Sequence, residues 1–301
     1  MSITLVLQPL TTFLKYEKIR DLTCCPTFLI ASGGPWITIL GAVFTDRVLV
    51  QRLTDFMWLG IDTAIHNFRC PPLANVFLAL RRSLAKLRAY YDEVRPRTDA
   101  TQAGCRFFPS ITTYIENGET VRFQYSGFLE RSNACVTLRA RTLRQPCKDI
   151  VVKFVDSYGL KAHKILAAKG LAPKLFYHGT PNFERDGPSY GKYRMVVMEY
   201  IEGKTFFNAK DTVDREDVRN QIREALKLLH DDGLVFGDLR PPNVMITNDD
   251  KVKLVDFNWA GEDSQARYPY LISSQIAWAP GVKRYAVMKK EHDLYMLEQL
   301  F

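Results

Sequence analysis

The chain has 301 residues, 47% apolar and 25% charged, with a net charge of +8. That composition supports a packed core and excludes a disordered tail, and six scattered cysteines with no C-x-x-C or zinc spacing exclude a disulfide scaffold and a zinc site. The charge is uneven, with 12 Lys/Arg against 8 Asp/Glu in residues 1–100, 13 against 7 in residues 101–190, and 16 against 18 in residues 191–301. No nucleic-acid motif accompanies the basic middle, so it predicts a solvated surface and a phosphate-binding cleft, not a nucleic-acid partner. Met1 to Leu10 has no basic n-region or cleavage site, and the default expectation is an intracellular, reducing location, cytoplasmic or nuclear.

In chain order, the first informative stretch is uncharged, between Asp21 and Asp46. Gly33-Gly34-Pro35 would break a helix there, so two buried strands, Thr27–Ala31 and Trp36–Phe44, are expected in place of a membrane span. Phe77, Leu80, Leu84, Leu87 and Tyr91 recur at helical spacing and predict a helix with that stripe on its core face. The polar run Val94–Ala103, containing Pro96, predicts a linker. Strand-like runs follow at Val121–Tyr125, Ala134–Arg139 and Ile150–Val155, then a short helix His163–Ala168 ended by Gly170, then a strand Arg194–Tyr200. An amphipathic helix is predicted over Arg215–His230, with Asp214 as its N-cap. Val244–Ile246 and Val252–Val255 read as a hairpin across Asn248-Asp249-Asp250. The order gives α+β architecture: a β-rich lobe, a linker and a helical lobe, preceded by a small α/β region.

Four segments carry the chemistry. They are Ile150-Val151-Val152-Lys153-Phe154-Val155, then Met195-Val196-Val197-Met198-Glu199-Tyr200-Ile201, then Phe236-Gly237-Asp238-Leu239-Arg240-Pro241-Pro242-Asn243, then Val255-Asp256-Phe257-Asn258-Trp259-Ala260-Gly261. In this order, and with six residues spanning Asp238 to Asn243, the chain resembles the protein-kinase-like superfamily. More narrowly, it is similar to kinase-like proteins of mushroom-forming fungi, through the Phe236–Asn243 wording, the Asp256–Gly261 segment, Arg267-Tyr268-Pro269, Trp278 and His292-Asp293.

The resemblance implies a two-lobed protein-kinase-like fold with a shortened C-lobe over residues 104–301, the N-lobe at about 119–200 and the C-lobe at about 201–301, after an accessory region at 1–95. It implies ATP and Mg²⁺ as cofactors. Asp238 would accept or orient the proton of the acceptor hydroxyl, and Asn243 and Asp256 would offer hard oxygen ligands to the metal. Lys153, in an apolar strand, wants an anionic partner that the ATP phosphates supply. Arg240 would steady the γ-phosphate, Met198, the Glu199 carbonyl and the Ile201 amide would meet adenine, and Asp293 would brace the catalytic loop.

The sequence departs from the family pattern in four places. The phosphate-loop stretch Tyr125–Ala134 has one glycine, Gly127, with the small Ser132, Asn133 and Ala134 beside it. The short helix offers Lys153 no acid, only His163 and Lys164, and Asp149 and Asp156 are merely near in sequence. Asn258 stands where glycine usually follows Asp-Phe, and Gly237 stands where arginine often precedes the catalytic aspartate, which argues against a phosphate-reading switch. Few residues follow Gly261. The leading expectation is a phosphotransferase acting on protein Ser/Thr hydroxyls, with a nucleotide-binding pseudokinase and a small-molecule kinase of the aminoglycoside or choline type as the other two.

Overall fold

The computed structural model describes residues 23–44, 48–59, 66–94, 108–131, 136–181 and 191–301. Contacts divide the chain into two units, Met1–Ser110 and Ile111–Phe301. The expected linker lies outside the described residues from position 95 onward.

In the first unit, β1 (Thr27–Gly33), β2 (Trp36–Phe44), β3 (Val48–Arg52) and β4 (Met57–Trp58) form one sheet, with β2 pairing all three others. Gly33 faces Trp36 across a two-residue turn in which Gly34 has φ +56°, a left-handed backbone that glycine adopts without strain. Both strands were expected to be buried. Only Ile37, Thr38, Ile39 and Ala42 of β2 are, β1 is mostly half-buried, and β3 is exposed throughout. An antiparallel sheet can leave one face in water.

Helix α1 (His66–Glu93) forms where expected, but the stripe is not the predicted one. Leu73, Val76, Leu80, Leu87 and Tyr91 are half-buried, whereas Phe77 and Leu84 are 40% and 45% exposed. The inward positions follow a 3-4 spacing, and Phe77 and Leu84 sit one residue past it, which turns them about 100° away. Among the described residues no helix is long and apolar enough to cross a membrane.

The second unit opens with an antiparallel six-stranded sheet of order β5 (Thr113–Glu116), β6 (Glu119–Arg131), β7 (Val136–Thr142), β8 (Asp149–Val155), β10 (Arg194–Glu199) and β9 (Leu175–Gly179). Helix α2 (Leu160–Ala168) lies between β8 and β9 in the chain. It begins three residues earlier than expected and stops before Gly170, where φ is +75°. The remainder is β11 (Gly203–Thr205), α3 (Phe206–Ala209), α4 (Arg215–Asp231), β12 (Leu234–Val235), a 3-10 turn (Pro241–Asn243), β13 (Val244–Thr247), β14 (Val252–Leu254), β15 (Gly261–Glu262) and α5 (Lys290–Gln299). Asp214 caps α4 as predicted, its carboxylate accepting from the amides of Glu216 and Asp217. The apolar face of α4, Val218, Ile222, Ala225, Leu226 and Leu229, is wholly buried with Leu166, Phe206, Leu239 and Phe257.

Helix α2 is seated on the segment after Asp256. The Gly159 amide donates to the Phe257 carbonyl at 2.8 Å, and a Cβ on Gly159 would fall 2.6 Å from both the Cβ and the carbonyl oxygen of Ala260. One methyl group there forces the helix off its seat. Gly159→Ala should lower stability by about 1–3 kcal/mol, read as a shift of the urea midpoint.

Candidate active site

Lys153 lies on an interior strand, its Cα paired with Thr137 on one side and Val196 on the other, and its side chain is only 3% exposed. A buried ammonium needs an anion. It finds one 103 positions away, the Asp256 carboxylate, at 3.0 Å. The acid missing from the short helix is thereby accounted for. The acids near Lys153 in sequence are committed elsewhere, Asp149 to Arg139 at 2.7 Å and Asp156 to Lys192 at 2.8 Å. Asp256 reaches inward with φ +66°, a left-handed backbone that aspartate tolerates better than most residues. The Asn258 side-chain oxygen is buried with no hydrogen-bond partner among the described residues.

Asp238 and Asn243 are brought together by the chain between them. Arg240 precedes a proline and is extended (φ −144°, ψ 157°), and the two prolines start the tight turn that ends at Asn243. Asn243 turns its Nδ2 to the Asp238 carbonyl at 2.8 Å and to its carboxylate at 2.9 Å. Arg240 takes the same carboxylate with Nε at 2.5 Å and an Nη at 2.8 Å. Burial pushes the Asp238 carboxyl above the usual aspartate range. Arg240 pulls it back and the nearby Asp256 charge adds to the rise. Asp256 follows directly on a Val255 amide held by the Asn243 carbonyl at 2.9 Å.

A buried carboxylate sets the backbone of this loop. Asp293, 1% exposed, accepts from the Phe236 and Gly237 amides at 2.8 Å each and contacts His230 Nε2 at 3.1 Å. This is the bracing role expected of it. Gly237 has φ +79°, and a Cβ there would lie 2.8 Å from the Met288 sulfur, so the position is closed to arginine by backbone and packing alike.

From the loop an aromatic stack runs back to α2. Phe236 meets Phe257 edge-on at 5.4 Å, and Phe257 lies flat on His163 at 4.6 Å and 6°. His163, fully buried, accepts from the Tyr158 hydroxyl at Nδ1 and donates from Nε2 to the Pro173 carbonyl, both at 2.7 Å. That pattern fixes a neutral tautomer, and burial lowers its pKa to about 4. Sequence reasoning missed His163, for which the one cue was a polar side chain on a short apolar helix.

Of the expected adenine contacts, Met198 and Ile201 are buried. The Glu199 carboxylate accepts from the Lys174 amide at 3.1 Å and from Lys253 Nζ at 3.3 Å. Among the described residues nothing accepts from the Ile201 amide. Gly127 pairs with Arg139 between two register shifts of β6, and a Cβ on it would meet nothing within 4 Å. Ser132, Asn133 and Ala134 lie outside the described residues. The site thus holds one buried cation, Lys153, a buried carboxylate, Asp238, held by Arg240 and Asn243, and two further oxygen-bearing groups, Asn243 and Asp256. Such hard oxygens fit a magnesium ion.

Comparison with known proteins bears on the same residues. The family model for the protein kinase domain matches residues 183–297, which include Met198, Glu199, Ile201, Asp238, Arg240, Asn243 and Asp256 but not Lys153 or Gly127. A probable serine/threonine-protein kinase of Clostridium acetobutylicum is 35% identical over 82 residues, 25% of this chain and 12% of the relative. The serine/threonine-protein kinase ste20 of Emericella nidulans is 26% identical over 176 residues, 56% of this chain and 18% of the relative. The solved structure of the Cydia pomonella granulovirus kinase PK-1 aligns with a TM-score of 0.46 at 15% identity, over 58% of this chain and 65% of that one. The family model and the curated relatives support the protein-kinase-like superfamily. With it come a kinase-like fold and, for a domain of this type, ATP and usually a divalent metal. The matched stretches span 12% and 18% of those two curated relatives.

Two stability predictions follow from the buried polar groups. Asp293→Ala leaves two buried amides without an acceptor and should cost about 2–5 kcal/mol, while Asp293→Asn, which keeps one acceptor oxygen, should cost less in the same denaturation series. His163 resists protonation when folded, its pKa falling from 6.5 to about 4. Its contribution is therefore whole above pH 6.5 and drains away as pH falls towards 4, by at most about 3 kcal/mol. His163→Phe should show a flatter stability profile across that window, so the gap between the two proteins narrows as the solution is acidified.

Proposed function

We propose that residues 111–301 bind Mg-ATP and transfer its γ-phosphate to a Ser/Thr hydroxyl of a protein. The observation that carries this reading is the convergence of Lys153, Asp256, and the Asp238–Asn243 pair from three separate segments into one polar cluster beside an apolar core. Groups so costly to bury together are retained where a ligand uses them. The likeness to kinase-like proteins of mushroom-forming fungi, carried by the Phe236–Asn243 wording, is part of the same reading.

In this reading Lys153 holds the α- and β-phosphates. Asn243 and Asp256 hold the magnesium ion, which when bound neutralises charge on the phosphate oxygens. The Glu199 carbonyl and the Ile201 amide take the adenine edge beside Met198, and the open face of Gly127 lets the backbone approach the phosphates. Asp238 orients the acceptor hydroxyl and receives its proton as the oxygen bonds to the γ-phosphorus and the bridging oxygen leaves with ADP. Its raised pKa makes it a stronger base than an exposed aspartate. Arg240 balances the Asp238 charge in the resting site and steadies the transferring phosphoryl group.

One observation favours the pseudokinase reading. Arg240 engages both oxygens of Asp238 and must release at least one for a hydroxyl to enter. Labelled Mg-ATP offered to the protein alone and with a protein mixture separates the two. Label should appear with the parent chain and fall by about 10²–10⁴ in Asp238→Asn, while Asp256→Asn loses the magnesium dependence of ATP binding. A Mg-dependent thermal shift without transfer would leave a nucleotide-binding module, and no shift would remove ATP altogether.

A further inference from the structure

The acceptor side of the site carries a charge pattern that the chemistry above does not use. Between Gln265 and Lys290 there are five Lys/Arg (Arg267, Lys283, Arg284, Lys289 and Lys290) and no Asp or Glu. The rest of residues 191–301 is the reverse, with 11 Lys/Arg against 18 Asp/Glu once that stretch is taken out. Four of the five cations are exposed and Lys290 is half-buried. Among the described residues, the ion pairs of this part of the molecule, which include Lys161–Asp232, Arg219–Glu298, Lys227–Asp231, Arg240–Asp238 and Lys253–Glu199, involve none of them. Asp263 meets Lys290 only through its backbone amide, at 3.2 Å.

Two of these cations, Arg267 and Arg284, are held by contacts on an ordered frame. Arg267 bridges Val287, the Tyr268 amide donates to the Ala286 carbonyl at 2.9 Å, and the Met288 amide donates to the Ala266 carbonyl at 2.8 Å, so residues 266–268 and 286–288 form a short antiparallel ribbon. Its underside is Tyr268 and Met288, both buried against Val235, three residues before Asp238. Its outer side presents Tyr270 and Tyr285, 53% and 60% exposed with rings 5.8 Å apart, Arg284 over Tyr270 at 4.7 Å, and Arg267 donating to the Tyr285 carbonyl at 2.9 Å. A chain of contacts leads back to the catalytic loop: Tyr268 on Trp259 at 5.9 Å, Trp259 on Trp278 at 5.6 Å, and Trp278 under the Arg240 guanidinium at 5.9 Å.

We infer that this ribbon is the docking face for the acceptor, and that it takes an extended acidic peptide whose Ser or Thr is flanked by Asp or Glu. Uncompensated, positioned cations beside exposed tyrosines match such a strand in charge and in contact surface. The inference rests on the phosphotransferase reading only for the identity of the occupant as substrate; the docking itself does not depend on turnover.

Fluorescent peptides that share one central serine and differ in flanks (acidic, uncharged or basic) test it by anisotropy with the full chain. The acidic peptide should bind tightest, lose affinity as salt rises, and weaken by about tenfold with Arg267→Glu/Arg284→Glu. Lys251→Glu, an exposed reversal on the β13–β14 turn, should leave it unchanged. Arg267→Gln/Arg284→Gln gives a milder version should the reversal harm folding. Equal binding of the three peptides, or indifference to both double variants, overturns the inference. So does an oligonucleotide of equal charge that binds more tightly than the acidic peptide. Phosphate transfer read in the same samples keeps the two ideas apart. Transfer without acidic preference sinks the docking face and spares the kinase reading, whereas acidic docking without transfer does the opposite.

Discussion

The Asp293 carboxylate decides the geometry of the loop from Phe236 to Asn243. Its two oxygens hold successive amides, Phe236 and Gly237, at equal distances, and everything after them inherits that orientation. Phe236 is aimed at Phe257, Gly237 adopts its left-handed turn over Met288, and Asp238 emerges facing Arg240 and Asn243. A carboxylate buried this deeply is tolerable because it is fully bonded, and the same full bonding makes it hard to replace.

A second constraint runs in the other direction, from the sheet. Lys153 is fixed by an interior strand and pairs with the Asp256 carboxylate at 3.0 Å. In the described structure the lysine and the Asp256 carboxylate therefore hold each other. The aromatic stack does for α2 what an ion pair to that helix would otherwise do. His163 lies flat against Phe257, the Gly159 amide holds the Phe257 carbonyl, and both fix the helix to the segment that carries Asp256. Positioning that is commonly electrostatic has here become a matter of shape and of one neutral histidine.

Much of this was legible in the sequence, for reasons that can be named. Helix α4 has a capping aspartate and a single apolar face, so its limits and burial followed from local chemistry. The β13–β14 hairpin followed from its turn residues, and the spacing of Asp238 and Asn243 followed from a tight turn that two prolines dictate. Three things were not legible. The partner of Lys153 depends on a contact across 103 residues, which no local pattern encodes. The inward stripe of α1 was assigned one residue out at two positions, since a 28-residue helix drifts enough for neighbouring stripes to look alike in sequence. The left-handed backbone after β14 falls on Asp256, a position that no local cue marks.

Gly237 has a consequence for what this chain can become. An arginine at that position needs a side chain where the Met288 sulfur sits and a non-glycine residue at φ +79°. Either demand alone is destabilising, and shrinking Met288 first would hollow out its contact with Val235 and Tyr268. The path to a loop that reads a phosphate through that arginine thus crosses an unfavourable intermediate in either order, and methionine packing works as a ratchet against acquiring the switch.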